Sequence, residues 1–511
     1  MNKLHVTLFF FVIGIFGCQS PKPSEPIDLM ELTIEDIHQA YEKGIYTSQQ
    51  LVEAYLNRIE QLDEKTNALT IINPKAVLIA KELDEEYQKT KVLRPLHGIP
   101  LIVKDNFNTK NIPTTGGSLA LRDFVPDEDA FIIQKLVNAG VIIIAKSNMA
   151  EWALTPWGSF SSTHGATLNP YNLAYSPGGS SGGTGASISA NFGTVGLGTD
   201  TGNSIRGPSS HNSLVGFRPT MGLVSRSGII PLHLTLDMAG PMCRTVEDAT
   251  RVLEIITGND PDEPLTKYSE GKFPDNYVQF LQEDGLKGAR IGILRNISEA
   301  GPDPEILGLF ENAIEDMKLM GAQMVDSVNI PNFLNLKRNL FCQDFRSDLE
   351  TYLATYVKND TLQTIEDIIR VGTKSAFTAE QIDILANNPR NVDNHKMACL
   401  DVYSDQGRID YRIAIEDFMD KMNFDALIYP SWNVKPYKMD SMVEEYVGFN
   451  SLVIAPFTGQ PAFTVPMGLM EGNLPTGIEF LGRMYSEPTL IKLAYAYEQG
   501  TNHRKPPNLK E

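Results

Sequence analysis

The chain has 511 residues, of which 42% are hydrophobic, and a formal net charge of −19. This length and composition suffice for a large buried core and are compatible with one long α/β domain. The acidic balance argues against a basic surface for nucleic acid, so we expect no nucleic-acid partner.

The N-terminus predicts export. Lys3 precedes an apolar run over residues 6–16, which is too short to cross a bilayer and is typical of a signal peptide. The run leads into Cys18 in a pattern that resembles a bacterial lipobox. We predict a lipoprotein-type signal peptide at 1–17, lipidation at Cys18, and a Ser/Pro-rich tether at 18–27, with plain secretion as the alternative. The lipid would hold the protein at the cell envelope or in the periplasm, on a membrane but not through it.

The remaining cysteines are Cys243, Cys342 and Cys399, an odd number without a CxxC spacing. This pattern favours buried free thiols, although one pair would be able to form in an oxidising compartment. The histidines show no metal-ligand spacing, so we expect no metal.

Helical and strand patterns alternate along the chain, which predicts an α/β fold with a covered sheet. No break in composition requires a domain boundary, so residues 28–511 are expected to form a single domain. The predicted elements are helices at 33–43 and 48–62, a strand at 99–103, a helix at 129–138, a strand at 141–145, a helix at 186–192, a strand at 194–197, a mainly helical stretch at 265–422, and strands at 426–429 and 462–465.

A glycine-serine stretch, YSPGGSSGGTG, occupies residues 175–185. Residues 178–182 match GxSxG, but no strand precedes them and no acid and histidine stand out downstream, as a nucleophile elbow requires. A phosphate-binding loop is a second interpretation, but residues 183–185 lack the further glycine and the GKS or GKT. A glycine-rich turn that lets backbone segments pack closely is the third.

Ser204 lies in a second glycine-containing loop, LGTDTGNSIRGP at 197–208. A serine hydroxyl needs an adjacent base to act as a nucleophile, and this loop holds no histidine. Lys104 closes the apolar stretch 99–103, where a lysine is rarely buried unless it is paired. Either its head reaches water along the surface, or it is desolvated, with a lowered pKa, and acts as a base near neutral pH.

Several motifs together resemble the amidase signature family of serine hydrolases, most strongly over residues 96–248. The motifs are Pro100-x-x-x-Lys104-Asp105, KSNM at 146–149, GGSSGG at 178–183, GTDTGNSIRGP at 198–208, GFRPT at 216–220, GP at 240–241 and TVED at 245–248, with weaker matches at 458–462 and 474–477. The resemblance implies one large α/β domain with a central twisted mixed β-sheet covered by helices on both faces.

The resemblance also implies a Ser-Ser-Lys triad. Ser204 is the expected nucleophile, and Ser180, which follows a cis peptide bond in this family, is expected to bridge it to the base Lys104. The expected oxyanion hole consists of the backbone N–H groups of Thr201, Gly202, Asn203 and Ser204. No cofactor is needed.

Three further residues have expected supporting roles. By resemblance, Asp200 and Arg206 flank the nucleophile loop and Ser181 bonds near the triad. A structural role, as an ion pair or as turn bonds that fix the loop, is the interpretation we favour for them.

Asn203 departs from the family pattern, which usually has glycine before the nucleophile. Asparagine is the next most tolerant residue where φ is positive, so the loop is expected to keep its shape. We predict that Asn203 narrows substrate choice.

The expected reaction is hydrolysis of a carboxylic amide through an acyl-enzyme, with release of ammonia or an amine. The alternatives are a glutaminase-type subunit of a tRNA-dependent amidotransferase and a non-catalytic binding lipoprotein. The expected partner is a small amide substrate, and a homodimer stays open. The sequence does not identify the amide.

The stretch 265–422 is expected to build a wall of the acyl site, and Trp152, Trp157 and Phe160 are candidates for pocket lining, with core packing as the commoner use.

Overall fold

A computed structural model describes residues 26–295, 297, 301–326, 328–337, 340–342, 344–387, 399–448 and 450–509. The predicted signal peptide, Cys18 and all but the last two residues of the predicted tether lie outside these ranges. In the part described, no helix is both long enough and apolar enough to cross a membrane.

One large mixed sheet runs through the domain, and a two-stranded ribbon, β4–β5, lies apart from it. The order of strands in the large sheet is β1-β3-β2-β6-β8-β7-β12-β13-β11-β9-β10. The strands are β1 Leu69–Ile72, β2 Pro100–Lys104, β3 Ile142–Ser147, β4 Phe160–Ser161, β5 Gly165–Ala166, β6 Val195–Asp200, β7 Val215–Arg218, β8 Met238–Cys243, β9 Arg290–Ile293, β10 Gln323–Val325, β11 Ala426–Pro430, β12 Ala462–Met470 and β13 Leu474–Leu481.

Helices lie on both faces of this sheet. They are α1 Ile34–Glu42, α2 Ser48–Thr66, α3 Ala76–Thr90, α4 Phe131–Asn138, α5 Gly182–Ser189, α6 Arg206–His211, α7 Val246–Ile256, α8 Pro304–Leu319, α9 Phe333–Leu336, α10 Phe345–Tyr352, α11 Ile365–Val371, α12 Ala376–Ala386, α13 Gln406–Met422, α14 Ala455–Thr458 and α15 Glu487–Thr501. Helices α5 and α6 cover one face of the central strands, and α7 covers the other.

Glycines in the central strands let α5 and α6 approach closely. A Cβ at Gly196 would lie 2.7 Å from Cγ2 of Thr184, and one at Gly216 would lie 2.2 Å from Oγ of Ser209. A substitution would therefore push a helix off the sheet. This close approach places the loops at the ends of β2 and β6 beside the start of α5.

Most predicted elements are found with small shifts of their ends, and the α/β prediction is confirmed. The first helix begins with a capping box between Thr33 and Asp36. The predicted helix at 186–192 begins earlier, at Gly182, because helix α5 uses the glycine-rich residues themselves. The stretch 265–422 is mainly helical, but it also contains β9 and β10, which are too short to show a clear period in the sequence.

The expectation of free thiols is wrong for two of the three cysteines. Cys342 and Cys399 form a disulfide across 57 positions of sequence, with their Cα atoms 5.6 Å apart, while Cys243 is free and buried. The pair forms because the fold returns the two ends of a helical segment to one place, which spacing in the sequence does not reveal.

Candidate active site

Lys104 is the last residue of β2, a strand with neighbours on both sides, and its side chain is fully buried. Its Nζ lies 2.7 Å from Oγ of Ser180 and 2.7 Å from Oγ1 of Thr199. Burial lowers the pKa of Lys104 to about 7, and the charges of Asp237 and Asp200 offset only part of that shift. A substantial fraction of the amine is thus neutral near pH 7, and the surface-lysine alternative is wrong.

Ser180 lies in the turn before α5 and follows a cis peptide bond from Gly179. A Cβ at Gly179 would lie 2.4 Å from the carbonyl oxygen of Thr155, so only glycine fits there. No strand precedes this serine directly, and its hydroxyl accepts a hydrogen bond from a lysine. The arrangement does not match a nucleophile elbow, which needs a strand before the serine and a histidine beside it.

Ser204 follows β6 and lies in the turn that leads into α6, with 5% of its surface exposed. Its hydroxyl makes no hydrogen bond to any residue that the structure describes, Ser180 included. The structure therefore brings Lys104 and Ser180 into direct contact and leaves Ser204 on the adjacent loop with a free hydroxyl.

The backbone around Ser204 presents unused donors. Within the described chain, the N–H groups of Gly202, Asn203 and Ser204 donate no hydrogen bond. These three residues and Thr201 line one cavity of about 270 Å³. Free N–H groups around a serine hydroxyl are suited to hold a developing oxyanion.

A buried ionic network holds the nucleophile loop. Asp200 accepts hydrogen bonds from the backbone N–H of Ile205 at 3.0 Å and from Nη2 of Arg206 at 3.1 Å. Arg218 Nη1 lies 2.8 Å from the same carboxylate, and Arg206 Nη1 reaches Glu479 Oε1 at 2.5 Å. Burial alone would raise the pKa of Asp200, but the two guanidinium groups outweigh it and hold that pKa well below its usual range.

The contacts of the support residues are those of a scaffold. Arg206 also donates to the carbonyl oxygen of Gly202 at 2.7 Å, and Ser181 donates to the carbonyl oxygen of Thr199 at 3.2 Å. Each contact fixes backbone next to Ser204 or Lys104. The ion pair and turn bonds that we favoured from the sequence are present in this geometry.

Sequence reasoning missed four residues near the site: Thr199 and Asn106 beside Lys104, Asp237 beside Thr201, and Glu479. Asn106 donates to Thr199 Oγ1 at 3.0 Å, and Thr201 donates to Asp237 Oδ1 at 2.5 Å. Of these, Glu479 could have been found from the sequence. It stands inside an apolar strand, and a carboxylate buried in such a strand needs a partner of opposite charge or a hydrogen-bond donor.

Asn203 does not have a positive φ, so an asparagine is accommodated here without backbone strain. Its side chain packs over Gly207, where a Cβ would lie 2.5 Å from Nδ2 of Asn203. That Nδ2 is buried and has no hydrogen-bond partner among the described residues. Backbone tolerance, which we invoked from the sequence, is therefore not what permits asparagine at this position.

Aromatic and aliphatic side chains line the rest of the Ser204 cavity. The Trp157 ring lies 4.8 Å from the Phe377 ring and 4.7 Å from the Tyr446 ring, measured between centroids. Trp152 packs in a separate core cluster, and Phe160 belongs to the ribbon, so of the three candidates only Trp157 reaches the cavity. None of the lining residues that the structure describes carries a charge.

The stretch 265–422 contributes to this wall. Helix α12, which lies within the segment closed by the disulfide, supplies Phe377, Gln381 and Leu385, and Phe341, the residue before Cys342, joins them. No group of three or more metal-ligating side chains occurs among the residues described.

Comparisons with known proteins span almost the whole domain. A family model described as Amidase matches residues 50–491. The chain is 33% identical to a probable amidase of Arabidopsis thaliana, covering 97% of this chain and 95% of that protein. It is also 33% identical to a subunit of the glutamyl-tRNA(Gln) amidotransferase of Lawsonia intracellularis, covering 94% and 99% respectively.

Among solved structures, native peptide amidase from Stenotrophomonas maltophilia matches with a TM-score of 0.83 and 34% identity. The match covers 94% of this chain and 99% of that one. The single α/β domain with a helix-covered mixed sheet, expected from the motifs, is confirmed by this likeness.

Proposed function

The chain belongs to the Amidase family, whose enzymes hydrolyse amides, and from that premise we propose that it cleaves a carboxylic amide through an acyl-enzyme formed on Ser204. The observation that carries the proposal is the 2.7 Å contact between the buried amine of Lys104 and the hydroxyl of Ser180. A neutral amine at this position is a base within direct reach of a serine, as a relay requires.

In the proposed acylation, one proton passes from Ser204 through Ser180 to Lys104, and one later passes back through Ser180 to the leaving nitrogen. Neutral Lys104 takes the proton of Ser180 as Ser180 takes that of Ser204, and Ser204 Oγ bonds to the carbonyl carbon. The carbonyl oxygen becomes an oxyanion held by the free N–H groups of the 201–204 loop. The carbon–nitrogen bond then breaks, and the proton returns through Ser180 to the nitrogen, which leaves as ammonia or an amine.

Deacylation repeats the sequence with water. Lys104 and Ser180 accept a proton from a water molecule, whose oxygen attacks the ester carbonyl. The carboxylic acid departs and Ser204 regains its proton. Every proton that the relay accepts is returned, so the cycle consumes only the amide and water.

We propose an uncharged linear amide as the substrate. Glutamine is the alternative substrate, because the chain also resembles a protein that is named as a subunit of a glutamyl-tRNA(Gln) amidotransferase. Glutamine carries an ammonium and a carboxylate, and burying these charges without partners is costly. The described lining of the Ser204 cavity is uncharged, which favours an apolar amide, and the likeness to a peptide amidase adds amidated peptides to the candidates.

We also propose that the protein works in an oxidising compartment. The disulfide between Cys342 and Cys399 supports this, because disulfides persist outside the reducing cytosol. Export, lipidation of Cys18 and homodimer formation stay predictions. Loss of fatty-acid labelling in Cys18→Ser would test the anchor, and size-exclusion chromatography with light scattering would test the dimer.

The central experiment treats the mature chain with a fluorophosphonate and measures ammonia release from apolar amides, amidated peptides and glutamine. Ser204→Ala should abolish both labelling and hydrolysis, while Ser187→Ala, which removes a buried hydroxyl in α5, should leave both intact. Labelling without loss in Ser204→Ala would refute Ser204 as nucleophile. No labelling and no hydrolysis in the wild-type chain would leave the binding-protein alternative.

A further inference from the structure

His233 lies in the wall of the Ser204 cavity, and its imidazole makes no hydrogen bond to any residue that the structure describes. Only 5% of the residue surface is exposed, and its Nδ1 is buried without a hydrogen-bond partner among the described residues. The ring's only described aromatic neighbour is Phe341, edge to face, with the centroids 5.7 Å apart. A buried polar ring normally finds a partner, so this one is available to a ligand.

The backbone of His233 is tied to the nucleophile loop through one carboxylate. Asp237 Oδ2 accepts from the His233 N–H at 2.9 Å, and Asp237 Oδ1 accepts from the Thr201 hydroxyl at 2.5 Å. The turn is closed by hydrogen bonds from the N–H groups of Leu236 and Asp237 to the His233 carbonyl oxygen. The backbone of His233 is thus fixed beside the nucleophile loop by hydrogen bonds that use neither ring nitrogen.

Burial keeps the ring neutral. It lowers the pKa of His233 to about 4, and the nearby charge of Asp237 offsets this only in part. A neutral imidazole offers one donor and one acceptor, and the tautomer adapts to the partner. Such a group recognises an uncharged polar group and gives no favourable interaction to a carboxylate beyond one hydrogen bond.

We propose that His233 determines substrate specificity by hydrogen-bonding an uncharged polar group on the acyl part of the substrate, such as the amide of an α-acylamino substituent. This inference rests on the proposed amide hydrolysis, because release of ammonia leaves the acyl part as the portion that the cavity can recognise. The rings of Trp157, Phe377 and Tyr446 line the same cavity and are available to pack against the apolar part of the acyl group. The substrate class is therefore the carboxamide of an N-acylated apolar amino acid.

The test compares N-acetylphenylalaninamide with 3-phenylpropanamide, which lacks only the acetamido group. In the wild-type chain we expect kcat/KM to be higher for the first substrate. His233→Phe should lower the ratio of kcat/KM for N-acetylphenylalaninamide to that for 3-phenylpropanamide about tenfold, because one hydrogen bond is lost. The change should come mainly from a higher KM for N-acetylphenylalaninamide. His233→Gln, which keeps a neutral hydrogen-bonding group, should restore most of that ratio.

Phe377→Leu is the matched control, since it changes an apolar part of the same cavity without removing a polar group or the ring packed on His233, and it should affect both substrates alike. If His233→Phe does not fold, His233→Ala takes its place with the same expectation. A ratio unchanged in the His233 variants, with 3-phenylpropanamide still hydrolysed, would overturn the role of His233 and leave the proposed function standing. Hydrolysis of neither substrate, while another amide of the panel is cleaved, would overturn the inference alone, and no hydrolysis of any amide with no labelling of Ser204 would overturn both.

Discussion

Replacing Lys104 with methionine should abolish hydrolysis and also stabilise the fold. Methionine has a similar length and no charge, and the site is fully buried. The pKa of Lys104 is lowered from 10.5 to about 7 by burial. In the unfolded chain at pH 7 the amine is charged. Folding must therefore remove its proton in a fraction of the molecules and desolvate the charge in the others, at a cost of about 4 kcal/mol.

The pH dependence of this cost has a definite sign. The folded pKa lies below the unfolded one, so the unfolded chain binds more protons between pH 7 and 10.5. Wild-type stability should therefore rise with pH through that window, with the full cost present below it. Lys104→Met also loses two hydrogen bonds, to Ser180 and Thr199, worth about 1 kcal/mol each. The net gain at pH 7 should be about 2 kcal/mol.

Activity should depend on the same group and also rise with pH. Wild-type kcat/KM should rise with a midpoint near pH 7 and fall about tenfold per unit below it, because only the neutral amine accepts a proton. Ammonia release from pH 5 to 9 measures the profile, and urea unfolding at pH 7 and 9 measures the stability. Lys89→Met, at an exposed position, is the control and should change neither.

The reasoning would be refuted by a Lys104→Met chain that keeps near-normal rates, because Lys104 would then not be the base. A variant less stable than wild type by more than about 1 kcal/mol at pH 7 would show that the hydrogen bonds of Lys104 outweigh its desolvation.

Three further predictions concern the surroundings of the site. Arg206→Met leaves the buried carboxylate of Glu479 without its ion-pair partner and should lower the free energy of unfolding by roughly 3–5 kcal/mol in urea melts. Arg122→Met, which breaks an exposed ion pair, should change that free energy by under about 0.5 kcal/mol, and equal effects of the two substitutions would contradict the network's role. Asn203→Gly should change relative rates across an amide panel, and identical relative rates would remove Asn203 from substrate choice. Replacing Cys342 and Cys399 together by serine should cost roughly 4 kcal/mol of stability and raise KM several-fold by loosening the cavity wall; an unchanged KM would show that the wall holds without the disulfide.

Much of the fold could be predicted from local patterns. The helix at Ile34–Glu42 was visible because its capping residues and apolar face are neighbours in sequence. The strand at Pro100–Lys104 was visible because a buried strand reads as a continuous apolar run. The short strands β9 and β10 were not, since three or four residues establish no period.

By itself the sequence determined the family, the serine loop and an oddly placed lysine, because each is written in contiguous residues. Only the tertiary structure decided what those residues touch. Arg206 meets Glu479 across 273 positions, Cys342 meets Cys399 across 57, and His233 faces the cavity through a turn tied to Asp237. Local periodicity encodes which face of an element is buried, whereas the partner that covers it depends on how distant segments of the chain pack together.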